Sequence, residues 1–443
     1  MAVEEAGVKS EIVYAFARPS TFCASAHSLA ATKDHANFSA LAACVGMFFS
    51  CRTIFVLVTA RWLSVGTSAG VFAGLGLSLA LLLASSLCAF GHSAHTSHWM
   101  FRVRPFQWVI LYLAFSGCSF LWSATVSPLG SAGYWLGLVS DVGIVVLLFR
   151  GCDAACAAHS LMKGFIFGSC LLAAIAWMMP AERDLRLGDI EYFNTNQIGN
   201  LCALAVLMCI LLACRGDGQW RIPAWFLGIT LFRSLSKSTL IAFIACQAYR
   251  ILRDRTMSGR KKSWLIVGSL TVAICFWGLL DAYYGVYSSA GNQAETLTGR
   301  TAIWAWALDA SLSHPWLGNG FDAMWKVAPP FGGELFEARH AENEFLQQFF
   351  AYGVCGIVLL VGIYGSLFRS LRLLLRDSER CILTAFVVFA IVRGFAEAEP
   401  FDLVLPLWLI TAIALLAARE LQLAKQPNAD PAHAIHSHFL PAH

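Results

Sequence analysis

Apolar runs of about 20 residues, separated by short polar loops, recur along most of this 443-residue chain, and that length crosses the hydrocarbon core of a bilayer. Composition leaves little alternative. With 58% hydrophobic residues, 13% charged residues and a mean hydropathy of +0.64, the chain lacks the polar side chains needed to cover a water-soluble surface. The expected fold class is therefore an all-α integral membrane protein. Its apolar runs fall at about 38–60, 69–90, 105–122, 134–149, 160–179, 196–214, 222–235, 238–251, 264–283, 346–368, 381–396 and 403–418, which makes twelve transmembrane helices. Gly74, Gly76, Ser78, Gly117, Ser119, Gly164 and Gly168 inside these runs are expected to let helices approach closely.

Basic residues are retained on the cytoplasmic side of a membrane, so their distribution orients the chain. With both termini inside, the inner loops collect Arg102, Arg104, Arg150, Arg215, Arg221, Arg250, Arg253, Arg255, Arg260, Lys261, Lys262, Arg369, Arg372, Arg376 and Arg380. The outer side then receives the loops near Pro180–Asn196, Arg233–Lys237 and Glu397–Asp402, together with one long polar interruption from Tyr283 to Tyr352. The first 36 residues show no basic-then-apolar run ending in a small-residue site, so no cleavable signal peptide is expected. The formal charge of +4 is spread along the chain, which argues against nucleic acid as a partner. Most of the 15 cysteines lie inside apolar runs, where a thiol behaves as a small hydrophobe. No Asp-x-Asp motif, phosphate loop or Gly-x-Ser-x-Gly elbow occurs.

Chemistry is expected in the long outer stretch. It contains Leu297-Thr-Gly-Arg300-Thr-Ala-Ile-Trp304, then Ser313-His-Pro-Trp-Leu-Gly-Asn-Gly320, then Arg339-His340-Ala-Glu-Asn343-Glu-Phe-Leu346. His340 lies among Arg339, Glu342, Asn343 and Glu344, where a carboxylate can fix its tautomer; a solvated loop histidine is the plainer alternative. Arg233 and Lys237, spaced i and i+4 among Ser234, Ser236, Ser238 and Thr239, are expected on one helix face, where a cation pair can grip a diphosphate. Arg300 would add a third cation from another segment. Arg52 is expected to snorkel toward the interface. Glu397, Glu399 and Asp402 can serve as bases or acceptor contacts, or simply as a solvated loop.

These residues together resemble the shared domain of bacterial O-antigen ligases and of O-antigen and exopolysaccharide polymerases. The likeness rests on Thr298-Gly299-Arg300 with Ile303-Trp304, Pro315-x-x-Gly318-x-Gly320, His340-x-x-Asn343 before Phe345-Leu346, and Gly353-x-x-Gly356. Upstream, Phe120-Leu-Trp-Ser123 with Ser127-Pro128, Asn194-x-Asn196-Gln-x-Gly199 and Ser236-Lys237-Ser238 also fit that pattern. The resemblance implies a GT-C-like inverting glycosyltransferase of the bacterial inner membrane, working at the periplasmic face without cofactor, metal or nucleotide. It implies as donor a polyprenyl (undecaprenyl) diphosphate-linked oligosaccharide, and as acceptor a glycan or the lipid A core, with a chain-length regulator as a further partner besides the bilayer.

The catalytic roles so implied fall on Arg300 and His340, and diphosphate binding falls on Arg300, Lys237 and Arg233. Trp304, Glu342, Asn343 and Asn196 become sugar or acceptor contacts. Lysine at 237 replaces a usual arginine, and Glu342 sits where many relatives carry the histidine, so either His340 or Glu342 is the base. The expected domains are a cytoplasmic segment at 1–37, transmembrane helices 1–9 at 38–283, a long periplasmic loop with the catalytic motifs at 284–345, helices 10–12 at 346–418 and a cytoplasmic tail without fixed structure at 419–443. A polymerase is favoured, with ligation to lipid A core as the alternative. A secondary transporter or flippase of lipid-linked glycans is the reading from another class, and the chain shows none of the internal symmetry usual there.

Overall fold

The computed structural model of the chain describes residues 26–90, 97–180, 185–188, 193–278, 281–282, 300–325, 327–331 and 338–425. It divides into two units, Met1–Asn37 and Phe38–His443. The described part of the first, residues 26–37, is helical. Among the described residues there is no β-strand, and the helices are α1 (Ala26–Leu57), α2 (Thr67–Phe90), α3 (Arg104–Cys118), α4 (Pro128–Gly151), α5 (Ala154–Met178), α6 (Thr195–Cys214), α7 (Arg221–Ser234), α8 (Lys237–Arg253), α9 (Gly259–Cys275), α10 (Arg300–Ser313), α11 (Glu344–Leu371), α12 (Asp377–Gly394) and α13 (Leu407–Ala424).

All twelve apolar runs lie at least partly on helices, but length and composition qualify only seven of them to cross a membrane. These are Asn37–Trp62, Thr67–Ala89, Pro128–Gly151, Ala154–Met178, Thr195–Cys214, Glu344–Leu371 and Leu407–Ala424. Among the described residues this measure therefore supports seven crossings and leaves the expected twelve unconfirmed. Helices α3, α7, α8 and α9 have 15, 14, 17 and 17 residues. At ~1.5 Å per residue they reach only ~21–26 Å against a core of ~30 Å. Helix α12 has 18 residues but carries Asp377, Glu379, Arg380 and Arg393. A further helix, α10, stands where a loop was expected, and Arg300 opens it.

Burial grades the helices from centre to rim. In α6, 72% of the apolar window is buried, against 17% in α2, so α6 is central and α2 faces outward. Helix α6 packs on α5, α7 and α12, and α12 packs on α8. Small residues bring α1 against α5 as expected for Gly164 and Gly168, since a Cβ on either would overlap Ala43 or Ser50. Gly76, by contrast, has open space in front of it. Arg52 does not snorkel. One of its terminal nitrogens lies 2.7 and 2.8 Å from the two oxygens of Asp141 on α4, which also accepts from Ser78 of α2 at 2.9 Å. A charge at membrane depth is costly unless paired, and Asp141 supplies the pair.

At Gly353 (φ 62°, ψ −150°) α11 breaks. The break strands backbone groups that hydrocarbon cannot satisfy. A turn from Pro315 to Gly320 satisfies them. Val354 N donates to Pro315 O at 2.8 Å and Cys355 N to Trp316 O at 3.4 Å, while Asn319 N donates to Phe350 O at 2.9 Å and Gly320 N to Ala351 O at 2.8 Å. Gly318 (φ 65°) lies so close to the Ala351–Tyr352 backbone that a Cβ would overlap it. The Pro-x-x-Gly-x-Gly motif is thus a plug for a broken helix.

Gly318→Ala should lower stability by ~1–3 kcal/mol through strain and overlap, read as a lower apparent melting temperature in detergent. Gly228→Ala on α7, where nothing lies within 4 Å of the new Cβ, should leave the melting temperature unchanged or raise it slightly.

Candidate active site

Three separate loops and the start of α10 converge at one end of the helix bundle. The convergence begins with helix-capping chemistry. Asn194 caps α6 by accepting from Asn196 N at 2.7 Å, and this presents the Asn196 amide beside the start of α8. Ser236 Oγ donates to Asn196 Oδ1 at 2.9 Å, and Asn196 Nδ2 donates to Glu397 Oε1 at 2.9 Å. Ser238 Oγ donates to the same Glu397 oxygen at 2.9 Å, and Arg300 Nη2 donates to it at 3.0 Å. One oxygen of Glu397 therefore ties α6, α8 and α10 together.

Arg300 Nη2 serves a second carboxylate, lying 3.0 Å from Glu342 Oε2. The other Glu342 oxygen stands 3.8 Å from His340 Nε2, and Glu342 N donates to His340 Nδ1 at 3.3 Å. Glu342 sits in left-handed backbone (φ 51°), an uncommon conformation for a non-glycine residue that clusters at functional sites. About a fifth of the Arg300, His340 and Glu342 side chains stays exposed, against 5% of Glu397. The first three can therefore meet a ligand, whereas Glu397 holds Arg300 in place. With about a fifth of its side chain exposed, the Arg300 guanidinium can still be reached by an anion while it holds the two carboxylates.

Burial is the chief influence on the Glu342 carboxyl and raises its pKa above the ordinary glutamate value. His340, Arg300 and Arg393 oppose the rise, and the negative charge of Glu397 adds to it. Arg393 itself is buried in α12 and donates to Glu399 Oε1 at 3.3 Å.

The structure thus brings Arg300, His340, Glu342 and Asn196 together, with Lys237 exposed between Ser236 and Ser238 at the first position of α8. The expectation that Arg233 and Lys237 share a helix face fails. Helix α7 stops at Ser234, Leu235 turns left-handed (φ 56°), and α8 begins at Lys237, so no continuous helix joins the two cations. Arg233 Nη1 instead donates to Leu185 O at 2.7 Å. Asn343 is also committed to structure. Its Oδ1 caps α11 by accepting from Leu346 N at 3.0 Å, and its Nδ2 donates to Phe395 O at 3.0 Å. Trp304 lies one turn beyond Arg300, and its buried Nε1 has no hydrogen-bond partner among the described residues. Among the described residues no group of three or more His, Cys, Asp and Glu is placed to hold a metal ion.

Glu397 is the main residue that sequence reasoning underrated. It read as one of three acids in a short hairpin, and nothing in that hairpin signals a partner 97 residues upstream.

Residues 222–361 match the family model described as O-antigen ligase, which bears out the resemblance and spans Arg233, Lys237, Arg300, Trp304, His340, Glu342 and Asn343. Asn196 and Glu397 lie outside that stretch. The exopolysaccharide production protein ExoQ of Rhizobium meliloti (strain 1021) is 22% identical over 325 residues, covering 66% of this chain and 72% of its own length. The O-antigen ligase of Pseudomonas aeruginosa (strain PAO1) is 27% identical over 175 residues, 40% of each chain.

A carboxyl whose pKa rises on folding favours the folded state at low pH and loses that contribution as pH climbs through its folded value. Glu342→Gln removes this loss. Its melting temperature relative to the unaltered protein should therefore rise as pH climbs above the ordinary glutamate value of about 4, as followed by thermal unfolding across pH.

Proposed function

We propose that this protein is an inverting glycosyltransferase embedded in the bacterial inner membrane, taking glycan from a polyprenyl diphosphate carrier at the periplasmic face. The observation that carries this reading is Arg300 held between Glu342 and Glu397, with His340 beside Glu342, inside the stretch that matches the O-antigen ligase model. The packing of the bundle supports the topology expected from charge. The four segments assigned to the outer side touch one another at the site, through Arg233 to Leu185, Asn196 to Ser236, and Ser238 and Arg300 to Glu397. Arg215, Glu379 and Glu420, assigned to the inner side, also meet one another. Both sets agree with the sidedness expected from charge, with both termini cytoplasmic.

In the reaction, an acceptor hydroxyl oxygen bonds to the anomeric carbon while the bond from that carbon to the diphosphate oxygen breaks on the opposite face. The departing electron pair adds negative charge to the diphosphate. The Arg300 guanidinium and the Lys237 ammonium stabilise that charge, with Arg233 one segment away as an auxiliary cation. The hydroxyl proton needs an acceptor. Because His340 Nδ1 accepts from the Glu342 backbone, the neutral imidazole carries its proton on Nε2, which leaves the Glu342 carboxylate as the base and His340 as the group that orients it. Asn196 and Glu397 act as positioning residues, and Trp304 Nε1 offers a donor to a sugar hydroxyl.

Within this class a polymerase is favoured, because the exopolysaccharide production relative aligns over 325 residues and the ligase relative over 175. Ligation to lipid A core is the second reading, favoured by the description of the matching model. Purified protein given only lipid-diphosphate repeat units separates the two: a polymerase lengthens the lipid-linked chains, and a ligase leaves the donor intact until core lipid is supplied. Donor left intact under both conditions would defeat the reading altogether.

Arg300→Ala should lower the transfer rate by ~10²–10³-fold, more than Lys237→Ala or Arg233→Ala alone. Glu342→Gln should lower it by ~10²–10⁴-fold and His340→Gln by less, measured as initial rates of glycan transfer at saturating donor. In the unaltered protein the acidic limb of the rate profile should lie above the ordinary glutamate range, because burial raises the Glu342 carboxyl.

A further inference from the structure

Helix α10 has three sides. Ile303, Ala307 and Ser311 are buried against the protein, and Arg300 lies toward that side at the site end. Leu308 and Leu312, 48% and 62% exposed, form an apolar stripe that the turn after the helix extends through Trp316 and Leu317, 71% and 47% exposed. Asp309, one residue on from Leu308, is exposed about 100° further round the helix. This is the pattern of a helix lying in an interface plane, with one face on protein, one apolar face and one polar face. In water, an apolar patch built from Leu308, Leu312, Trp316 and Leu317 would have nothing to cover it.

The level of this stripe is set by two elements long and apolar enough to cross the membrane. Pro315 and Trp316 accept backbone bonds from Val354 and Cys355, at the point where the break in α11 begins its last, apolar 19 residues from Gly353 to Leu371. From the other side, Trp122 Nε1 donates to Leu317 O at 3.2 Å, Ala124 N to Asn319 O at 3.0 Å, and Ser123 Oγ to Phe321 O at 2.7 Å. Those residues form the turn leading into α4, whose first turn exposes Leu129 to 88%, while Leu121 in the same turn is also 88% exposed. The segment 315–321 is therefore pinned to the outer ends of α4 and of the apolar half of α11. We propose that the far end of α10 and the turn after it rest in the outer leaflet, with Leu308, Leu312, Trp316 and Leu317 embedded among lipid chains and Asp309 in water. The ridge runs from the bilayer to Arg300, so the helix that carries this guanidinium is seated on the membrane from which a lipid-linked donor would arrive. The inference goes beyond glycosyl transfer and shares with it only the assignment of faces.

The test is cysteine accessibility in right-side-out membrane vesicles, with a membrane-impermeant maleimide and mass spectrometry of the 300–325 peptides so that native cysteines do not interfere. Asp309→Cys should label readily. Leu312→Cys and Trp316→Cys should label at least tenfold more slowly, and detergent should abolish the difference. Equal labelling of all three in the intact vesicle overturns the proposal. Protection that survives detergent overturns it too, because a protein partner or a second copy would then cover the ridge. An Asp309→Cys protein that labels only after permeabilisation places the helix on the other face and also overturns it. Since labelling needs no substrate, loss of glycan transfer with this pattern intact would sink the proposed function alone.

Discussion

Glu397 is closed off from water, and a negative charge so placed must find partners or be neutralised. It finds three donors on one oxygen: the Arg300 guanidinium, the Asn196 amide and the Ser238 hydroxyl. Because these come from the starts of α10, α6 and α8, satisfying one buried carboxylate fixes the relative placement of three helices. The same constraint decides what Arg300 can offer. With Nη2 held between Glu397 and Glu342, the planar guanidinium has a set orientation rather than being a mobile charge.

A second constraint acts on the backbone. Breaking α11 at Gly353 is tolerable only because the Pro315–Gly320 turn takes up the freed donors and acceptors. The arrangement carries the outer stretch down onto a membrane-length helix, so the roof of the site is anchored to the bundle by main-chain bonds. It also places Glu344, Gln347 and Gln348 in the short polar half of α11 before the break, where Glu344 accepts from Tyr364 and from Val404 N. That contact draws the loop bearing Glu397 toward the loop bearing Glu342. Charge balance follows from this closeness. Two carboxylates share one guanidinium, and Glu342 in its buried position holds its proton more tightly than a free glutamate.

The helical character of the chain was legible in the sequence, because long apolar runs report membrane-length helices. The twelve runs all met helices, and the loops assigned to one side by Arg and Lys counting are the loops that touch at the site. Ordered motifs around Arg300, Gly318 and His340 marked the long outer stretch as the place of interest. Local chemistry went astray where backbone geometry intervened. The i, i+4 spacing of Arg233 and Lys237 describes a helix face only if the helix continues, and Leu235 in left-handed backbone ends it. The Asn343 amide looked available for a sugar, yet the start of a helix needs a cap and takes it.

By itself, then, the sequence determined that this chain is a membrane-embedded helical protein and which stretch carries its polar chemistry, because hydropathy and charge act locally along the chain. Only the tertiary structure decided that Glu397 holds Arg300, that Asp141 pairs with Arg52, and that the Pro-x-x-Gly-x-Gly turn fills a broken helix. Each of these joins groups tens of residues apart in sequence, and their pairing follows from how helices pack rather than from any spacing a single stretch of sequence displays.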